Sequence, residues 1–274
     1  MAMAKDQMFF LQHNVDEKPD PDHYQLHIHD HCEIYVLVSG DVDYMVEGRI
    51  YTVRPGSLLL MRQGETHKTV IKSDARYERY ILFVRPELLR RAGFPEELLA
   101  PFYDRGLGQR NLYAPAEFPD VQPLTYFKKM FYEKDFLPEA EVVEANLRAM
   151  LCGVNAAFCK DPVSPEREQK KNLGRDVIEY INEHLTGELS LEQISQEFHM
   201  SPSQISRVFR RLTGTSVYHY ILSKRLMLAQ ARIAAGEGAV SASQESGFWD
   251  YSSFYRLYKK RFGVPPSEHG GNKS

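Results

Sequence analysis

Four side chains in the first quarter of the 274-residue chain are of types that bind cations and polar ligands: His27, His29, Glu33 and His67. Side chains two residues apart on a strand point to the same side, so His27 and His29 are expected to face one way. Imidazole together with carboxylate suits Mn, Fe, Ni or Zn. The pattern predicts that these four residues line an effector pocket or hold a divalent metal.

The residues around this set resemble the two sequence motifs of cupins. The likeness is carried by His27, His29, Glu33 and Gly40 in the first motif, and by Gly56, Gly64 and His67 in the second. It implies that the histidines and the glutamate converge inside a β-barrel, where they can hold a divalent metal. The chain departs from the pattern at Pro21, Arg62 and Ile71, where glycine, proline and asparagine are usual. We expect no required cofactor, and three uses stay open: a pocket for a small organic effector, a divalent metal site, or histidines that satisfy hydrogen bonds at the barrel mouth.

Hydroxyl and cationic side chains recur in two clusters 49 residues apart near the end of the chain. The clusters are Ser203, Ser206, Arg207 and Arg210, and then Ser252, Tyr255, Arg256 and Lys259. On a helical wheel each cluster lies opposite an apolar face, which includes Phe209 in the first copy and Tyr258 in the second. Small hydroxyl residues let a helix approach a groove, and arginine can bond guanine bidentately or bond a phosphate. These eight residues form the predicted DNA-binding set.

The helices that carry these clusters have their own start and stop signals. Ser201 followed by proline predicts the start of the first helix and Gly214 its end, and Asp250 and Gly263 take these places in the second copy. A shorter amphipathic helix precedes each, so each copy is predicted to be a helix-turn-helix unit. Residues 217–235 form one continuous helical pattern of about 28 Å. That length is comparable with the roughly 34 Å between successive major-groove faces on one side of DNA.

The charge distribution supports this prediction. The chain as a whole has a net charge of −3, but residues 201–262 contain ten Lys and Arg against three Asp and Glu. Such a cluster is typical of a surface that faces phosphate. A solvated charged face, or a helical hairpin without a role in DNA binding, is the alternative, and the duplication counts against it.

The same region resembles the DNA-binding region of the AraC/XylS family of transcription regulators. The segments SLEQISQEFHMSPSQISRVFRRLTG, YILSKRLMLA and GFWDYSSFYRLYKKRFGVPPSE carry the likeness, which covers about residues 172–268. It implies that the two recognition helices enter adjacent major grooves with the eight residues of the predicted DNA-binding set facing the bases. The chain departs from the family pattern at Ser195 and Ser243, where alanine is usual, and a serine there can bond back within its own helix.

The first part of the chain has a different pattern. Between Tyr24 and Val84, short β-branched and aromatic runs alternate with turn residues, which predicts a small β-barrel or sandwich with residues 25–29 as one strand. Helical spacing follows at residues 86–99, 121–134 and 139–158. The third of these helices has a broad apolar stripe, which its own barrel, another helix or a second subunit must cover.

The predicted fold class is α+β with two domains: a cupin-like β-barrel with following helices, and an all-α domain with two helix-turn-helix motifs. The predicted boundaries are residues 1–159 for effector sensing and dimerisation, 160–172 for a linker, and 173–274 for DNA binding.

The chain contains no run of about 18 apolar residues, and its start lacks the features of a secretory signal. It is therefore expected to be cytoplasmic, without a membrane partner. Cys32, Cys152 and Cys159 are expected to be free thiols.

The favoured function is that of a homodimeric regulator that is not an enzyme. It is expected to bind double-stranded promoter DNA and to respond to a small-molecule effector in its barrel, with RNA polymerase as a further candidate partner. The alternatives are a cupin metalloenzyme with an appended DNA-binding domain, and a regulator whose barrel only dimerises.

Overall fold

The computed structural model describes residues 7–133, 135–160 and 172–269, which fall into two compact units. The first unit lies within residues 1–25 and 31–168, and the second within residues 26–30 and 169–274. The predicted linker falls almost entirely on residues 161–171, outside the described residues.

The first unit begins with two antiparallel sheets. Its strands are β1 Phe9–Asp16, β2 Cys32–Ser39, β3 Val42–Val46, β4 Arg49–Val53, β5 Leu58–Met61, β6 His67–Ile71, β7 Tyr77–Val84 and β8 Leu112–Tyr113. The larger sheet has the order β1-β7-β2-β5-β8, and the smaller has the order β4-β3-β6. Antiparallel order with short connections agrees with the predicted small β-domain.

Both faces of the larger sheet are buried, because the side chains of β2 alternate between two cores. Tyr35 and Leu37 belong to a core shared with residues of the smaller sheet, such as Tyr44. Ile34 and Val36 belong to the core formed with the following helices. This alternation places Glu33 on the same side of β2 as Tyr35.

Four helices follow or flank the sheets: α1 Pro86–Arg91, α2 Ala100–Tyr103, α3 Pro123–Glu133 and α4 Glu139–Lys160. The apolar stripe of α4, including Leu147, Met150 and Val154, packs into the core of its own unit. By length and composition alone α4 could cross a membrane, but its buried face has a covering in this fold.

Two sequence predictions about the first part of the chain were wrong. Residues 25–29 form no strand in the structure, since they make only an isolated bridge at His27, and β1 rather than this segment pairs with β7. The single helix expected over residues 86–99 ends at Arg91, because Gly93 takes a left-handed φ of 75° and Pro95 follows.

A buried ion pair fastens the loop before β8 to the turn before β6. The carboxylate of Glu65, which has no exposed surface, accepts hydrogen bonds from both terminal nitrogens of Arg105, at 2.7 and 2.9 Å. The backbone N–H groups of Gly108 and Arg62 and the side-chain amide of Asn111 donate to the same carboxylate. Burial alone would raise the pKa of Glu65, but the Arg105 guanidinium outweighs it and lowers that pKa.

The second unit is helical. Its helices are α5 Leu173–Glu183, α6 Leu191–Glu197, α7 Pro202–Thr213, α8 Val217–Ala234, α9 Ala239–Gln244, α10 Tyr251–Phe262 and α11 Pro266–His269. Two separate cores form, and α8 contributes to both: Tyr220 and Ile221 to the first, with α5, α6 and α7, and Leu226 and Ile233 to the second, with α9 and α10. The predicted connecting helix is thus confirmed as one continuous element.

We predict that Glu65→Gln destabilises the protein by about 3–5 kcal/mol, because it leaves the Arg105 guanidinium buried without a counter-charge. The measurement is the free energy of unfolding in urea. The matched control is Glu96→Gln, which breaks an exposed pair with Arg90 and should change nothing measurable. Equal effects of the two substitutions would contradict the role given to the buried pair.

Candidate nucleic-acid interface and effector site

The structure places the four residues that the sequence singled out in two pairs. Glu33 and His67 are neighbours in the first unit, and His27 and His29 lie in the segment 26–30, which belongs to the second unit. Glu33 and His67 are buried, His29 is half-buried and His27 is exposed. The two histidines come together without a strand, since their ring centroids are 5.9 Å apart in a loop.

Hydrogen bonds orient the buried pair. Nε2 of His67 lies 3.2 Å from Oε2 of Glu33, and Nδ1 of His67 lies 2.9 Å from the carbonyl oxygen of Glu65. Tyr44 donates its hydroxyl hydrogen to the other oxygen of Glu33, at 3.1 Å. Burial alone would lower the pKa of His67, but the Glu33 carboxylate outweighs it and raises that pKa. With an oxygen facing each ring nitrogen, the imidazolium form can donate from both.

The donor set fits a divalent metal of the Mn, Fe, Ni or Zn group. Imidazole and carboxylate are suitable ligands, and the Glu65 carbonyl holds Nδ1 of His67 so that Nε2 faces Glu33.

A network of tyrosine hydroxyls, which the sequence analysis did not single out, lies in the same core. The hydroxyls of Tyr35 and Tyr77 are 2.9 Å apart, and Thr69 lies 3.3 Å from that of Tyr77. The guanidinium of Arg79 stacks over the Tyr77 ring at 4.2 Å. Strand alternation could have indicated Tyr35, because it lies two residues after Glu33 on β2. Polar hydroxyls among apolar walls are typical of sites for small organic molecules.

A concavity in the first unit was also missed by the sequence analysis. It encloses about 380 Å³ between the α2 region and the end of α4, and Arg90, Glu96, Tyr103, Asn155 and Cys159 are among its lining residues. Contacts between elements distant in the sequence form it, so no local motif marked it.

The first helix-turn-helix unit has the predicted caps. The hydroxyl of Ser201 accepts from the N–H of Gln204, whose side chain accepts from the N–H of Ser201 in return, and Pro202 occupies the first turn of α7. Gly214 ends α7 in the left-handed conformation, with φ of 81°. Ile205 and Phe209 are buried, while three members of the predicted set are exposed and one is half-buried: Ser203, Arg207 and Arg210, and Ser206 respectively.

The second helix-turn-helix unit repeats this arrangement. The carboxylate of Asp250 accepts from the N–H groups of Ser252 and Ser253, and Gly263 ends α10 with φ of 77°. Phe254 and Tyr258 are buried. The four outward residues of the predicted set are all exposed: Ser252, Tyr255, Arg256 and Lys259.

The two serines at the family's alanine positions are accommodated as predicted. The hydroxyl of Ser195 donates to the carbonyl of Leu191, and that of Ser243 to the carbonyl of Val240, each at 2.7 Å. Both serines are buried, so these bonds satisfy hydroxyls that would otherwise lack a partner within the core.

Exposed aromatic residues surround the start of the second recognition helix, and the start of the first recognition helix has none. Trp249, the sole tryptophan of the chain, is 80% exposed and immediately precedes the cap of α10. Tyr251 and Tyr255 extend the exposed aromatic surface along the helix. The sequence analysis marked Tyr255 alone among these three.

Two family models match the chain. One described as "Helix-turn-helix domain" matches residues 194–270, and one described as "AraC-like ligand binding domain" matches residues 16–103. Together with the two capped recognition helices, they define a sequence-specific DNA-binding transcription regulator that responds to a small-molecule effector in its N-terminal domain. The chain belongs to the AraC/XylS family.

Relatives with assigned names match most of the chain. The arabinose operon regulatory protein of Salmonella typhimurium is 26% identical over 248 residues, which are 85% of this chain and 82% of that protein. The HTH-type transcriptional activator RhaS of Escherichia coli is 20% identical over 243 residues, which are 88% of this chain and 86% of that protein. A crystal structure of an apo ToxT variant from Vibrio cholerae aligns over 96% of this chain and 97% of its own, with 14% identity and a TM-score of 0.41.

Proposed function

We propose that the protein reads promoter DNA with the outward faces of α7 and α10. The observation that carries this proposal is the pair of capped helices, each with a buried apolar face and an exposed face of hydroxyl and cationic residues. Exposed serines leave room for close approach, while Arg207 and Arg256 supply the reach and charge to bond bases or phosphates.

We predict that Arg207→Ala and Arg256→Ala each weaken DNA binding by about 1–3 kcal/mol, through loss of one good base contact. The DNA is a site selected from random sequence with the wild-type protein, and affinity is measured by the anisotropy of labelled DNA. Base-by-base interference should place the two effects in separate halves of the site.

The matched control for this pair is Arg232→Ala, which removes a cation of α8 that is bonded to Glu237 and should leave affinity unchanged. Interference at the same bases by Arg207→Ala and Arg256→Ala would contradict the two-groove arrangement. Absence of binding at low salt would contradict DNA binding altogether.

We infer that the effector contacts His27, His29, Glu33 and His67. The likeness to the cupin motifs and the buried Glu33–His67 pair support this inference, and the tyrosine hydroxyls near that pair add polar groups that a small organic molecule can bond. A divalent metal is a second candidate for the same four residues, because imidazole and carboxylate are suitable ligands for such a metal.

We predict that His27→Ala combined with His29→Ala abolishes effector stabilisation. A ligand that binds only the folded state raises the midpoint of thermal unfolding. EDTA-treated protein is therefore heated with ZnCl2, MnCl2 or NiCl2, and separately with sugars, aromatic compounds and organic acids, and metal content is measured by elemental analysis.

The matched control for the histidine pair is His23→Ala, since the side chain of His23 is 79% exposed and lies outside the cluster. This variant should respond as the wild type does. A metal bound in equal amounts by the wild type and the His27, His29 variant would contradict the assignment. Stabilisation by an organic compound alone would favour the organic effector over the metal.

We propose that the protein acts in the cytoplasm as a regulator rather than an enzyme, because its named relatives are regulators of transcription. Contact with RNA polymerase is proposed on the same ground, since RhaS is named as an activator.

We propose further that two copies pair through the exposed face of α4. Its apolar stripe is already covered by its own core, but a second face presents only small uncharged side chains over four turns: Ala145, Ala149, Cys152, Gly153, Ala156 and Cys159. Such a face lets two helices approach closely, and one patch can pair with itself about a twofold axis.

We predict that Ala149→Glu converts the dimer to a monomer, because it places an unpaired charge in this contact. The measurement is sedimentation equilibrium of the full chain. The control is Ala140→Glu, an exposed alanine of the same helix on another face. A wild-type protein that sediments as a monomer, or a dimer that survives Ala149→Glu, would contradict the proposed interface.

A further inference from the structure

The two helix-turn-helix units meet around the middle of the helix they share. Among the buried residues of α8, Ile221 is the last in the first core and Leu226 is the first in the second core, against which Leu222 also packs. Arg225 lies between them, where neither core surrounds it. An arginine at such a junction can bond to one unit while touching the other.

Arg225 bonds to the first helix-turn-helix unit through two backbone carbonyl oxygens. Its Nε donates to the carbonyl of Leu185 at 2.8 Å, and its Nη2 donates to the carbonyl of Gly187 at 2.7 Å. Both carbonyls belong to the loop between α5 and α6. Because two nitrogens of one planar group are held, the orientation of the guanidinium is fixed.

The same guanidinium contacts the second helix-turn-helix unit at Gly247, in the turn between α9 and α10. A Cβ at residue 247 would lie 2.8 Å from Nε of Arg225 and 3.1 Å from the carbonyl oxygen of Leu185. No side chain fits there. The backbone of this turn, four residues before α10 begins, therefore packs directly on Arg225 and on the loop between α5 and α6 of the first helix-turn-helix unit.

The duplicated unit shows that this contact, and not the turn itself, calls for glycine. Because Ser195 aligns with Ser243 in this part of the repeat, at an offset of 48 residues, Gly247 corresponds to His199 of the first copy. His199 also takes a left-handed conformation, with φ of 51° against 84°. His199 is exposed and carries a full side chain. A helix-turn-helix turn of this shape thus accepts a larger residue when nothing packs against it.

We propose that Arg225, packed against Gly247, is a positioning residue that fixes the separation and relative rotation of the two recognition helices, and so sets the half-site spacing that the protein accepts. This rests on the proposed reading of DNA by both α7 and α10. Without Arg225, the two helix-turn-helix units remain joined by α8 but lose the packing contact that fixes one against the other.

The test compares DNA affinity across half-site spacings for wild type, Arg225→Ala and Arg225→Lys. The probe is the site selected with wild type, with one or two base pairs inserted or removed between its halves. Each base pair turns one half by about 34° relative to the other. Wild type should lose roughly tenfold or more on each altered spacing, because the second helix can no longer reach its bases.

Arg225→Ala is expected to lower affinity at the best spacing and to lose less than about threefold on the altered ones, since its units can adjust. Arg225→Lys should fall between, because an ammonium group lacks the planar fork. The slope of affinity against salt should stay that of wild type in both, because phosphate contacts are unchanged. A spacing preference of Arg225→Ala equal to that of wild type would overturn the proposal.

Gly247→Ala and Gly263→Ala form a matched pair that guards against a general loss of folding. Both glycines have a left-handed φ, but a Cβ at Gly263 would meet nothing within 4 Å. Only Gly247→Ala should broaden or shift the spacing preference at equal thermal stability, and equal effects of the two would overturn the proposal. If wild type binds a single half-site as tightly as the full site, the proposed function fails instead, which is a separate result.

Discussion

The helical part of this regulator depends on a single uninterrupted helix, α8, whose two halves are buried in different cores. Neither helix-turn-helix unit has a complete core without α8, since Tyr220 and Ile221 close one and Leu226 and Ile233 close the other. A continuous backbone ladder couples the two cores mechanically. The geometry of DNA reading therefore follows from how α8 is held rather than from either recognition helix alone.

In the first unit, the corresponding constraint is the burial of charge. Glu65 and Arg105 are both almost fully buried, and the carboxylate has donors on every side. Such a group tolerates little movement, because any lost bond leaves a charge without solvent. The carbonyl of Glu65 in turn orients His67, so the position of the candidate effector site rests on this ion pair.

The helical unit could be predicted from sequence more fully than the barrel, and the difference has a physical cause. Caps such as Ser201 and Asp250, and end signals such as Gly214, act within a few residues of themselves. Periodicity in the helices is local in the same way. Six of the strands also followed from alternation and turn residues, from β2 to β7.

What escaped prediction depends on contacts between distant parts of the chain. β1 is recognisable mainly by its pairing with β7, and residues 25–29 look like a strand but form only an isolated bridge at His27. Glu33 and His67 could be named, but their contact, the bond from Tyr44 and the Glu65 carbonyl that orients His67 could not, because they arise from the packing of separate strands. Arg225 lies in one of the segments that carry the family likeness, but its contacts could not be predicted, because the carbonyls that it bonds lie about 40 residues away in the sequence.

The two recognition helices also differ in the charge of their caps. Ser201 is neutral and leaves the positive end of the α7 dipole available to phosphate, whereas the carboxylate of Asp250 occupies the corresponding end of α10. A phosphate can therefore approach the N-terminus of α7 without meeting a like charge, whereas at α10 it meets the Asp250 carboxylate. The two copies of the motif share a shape but differ in charge at the point where a helix would enter a groove.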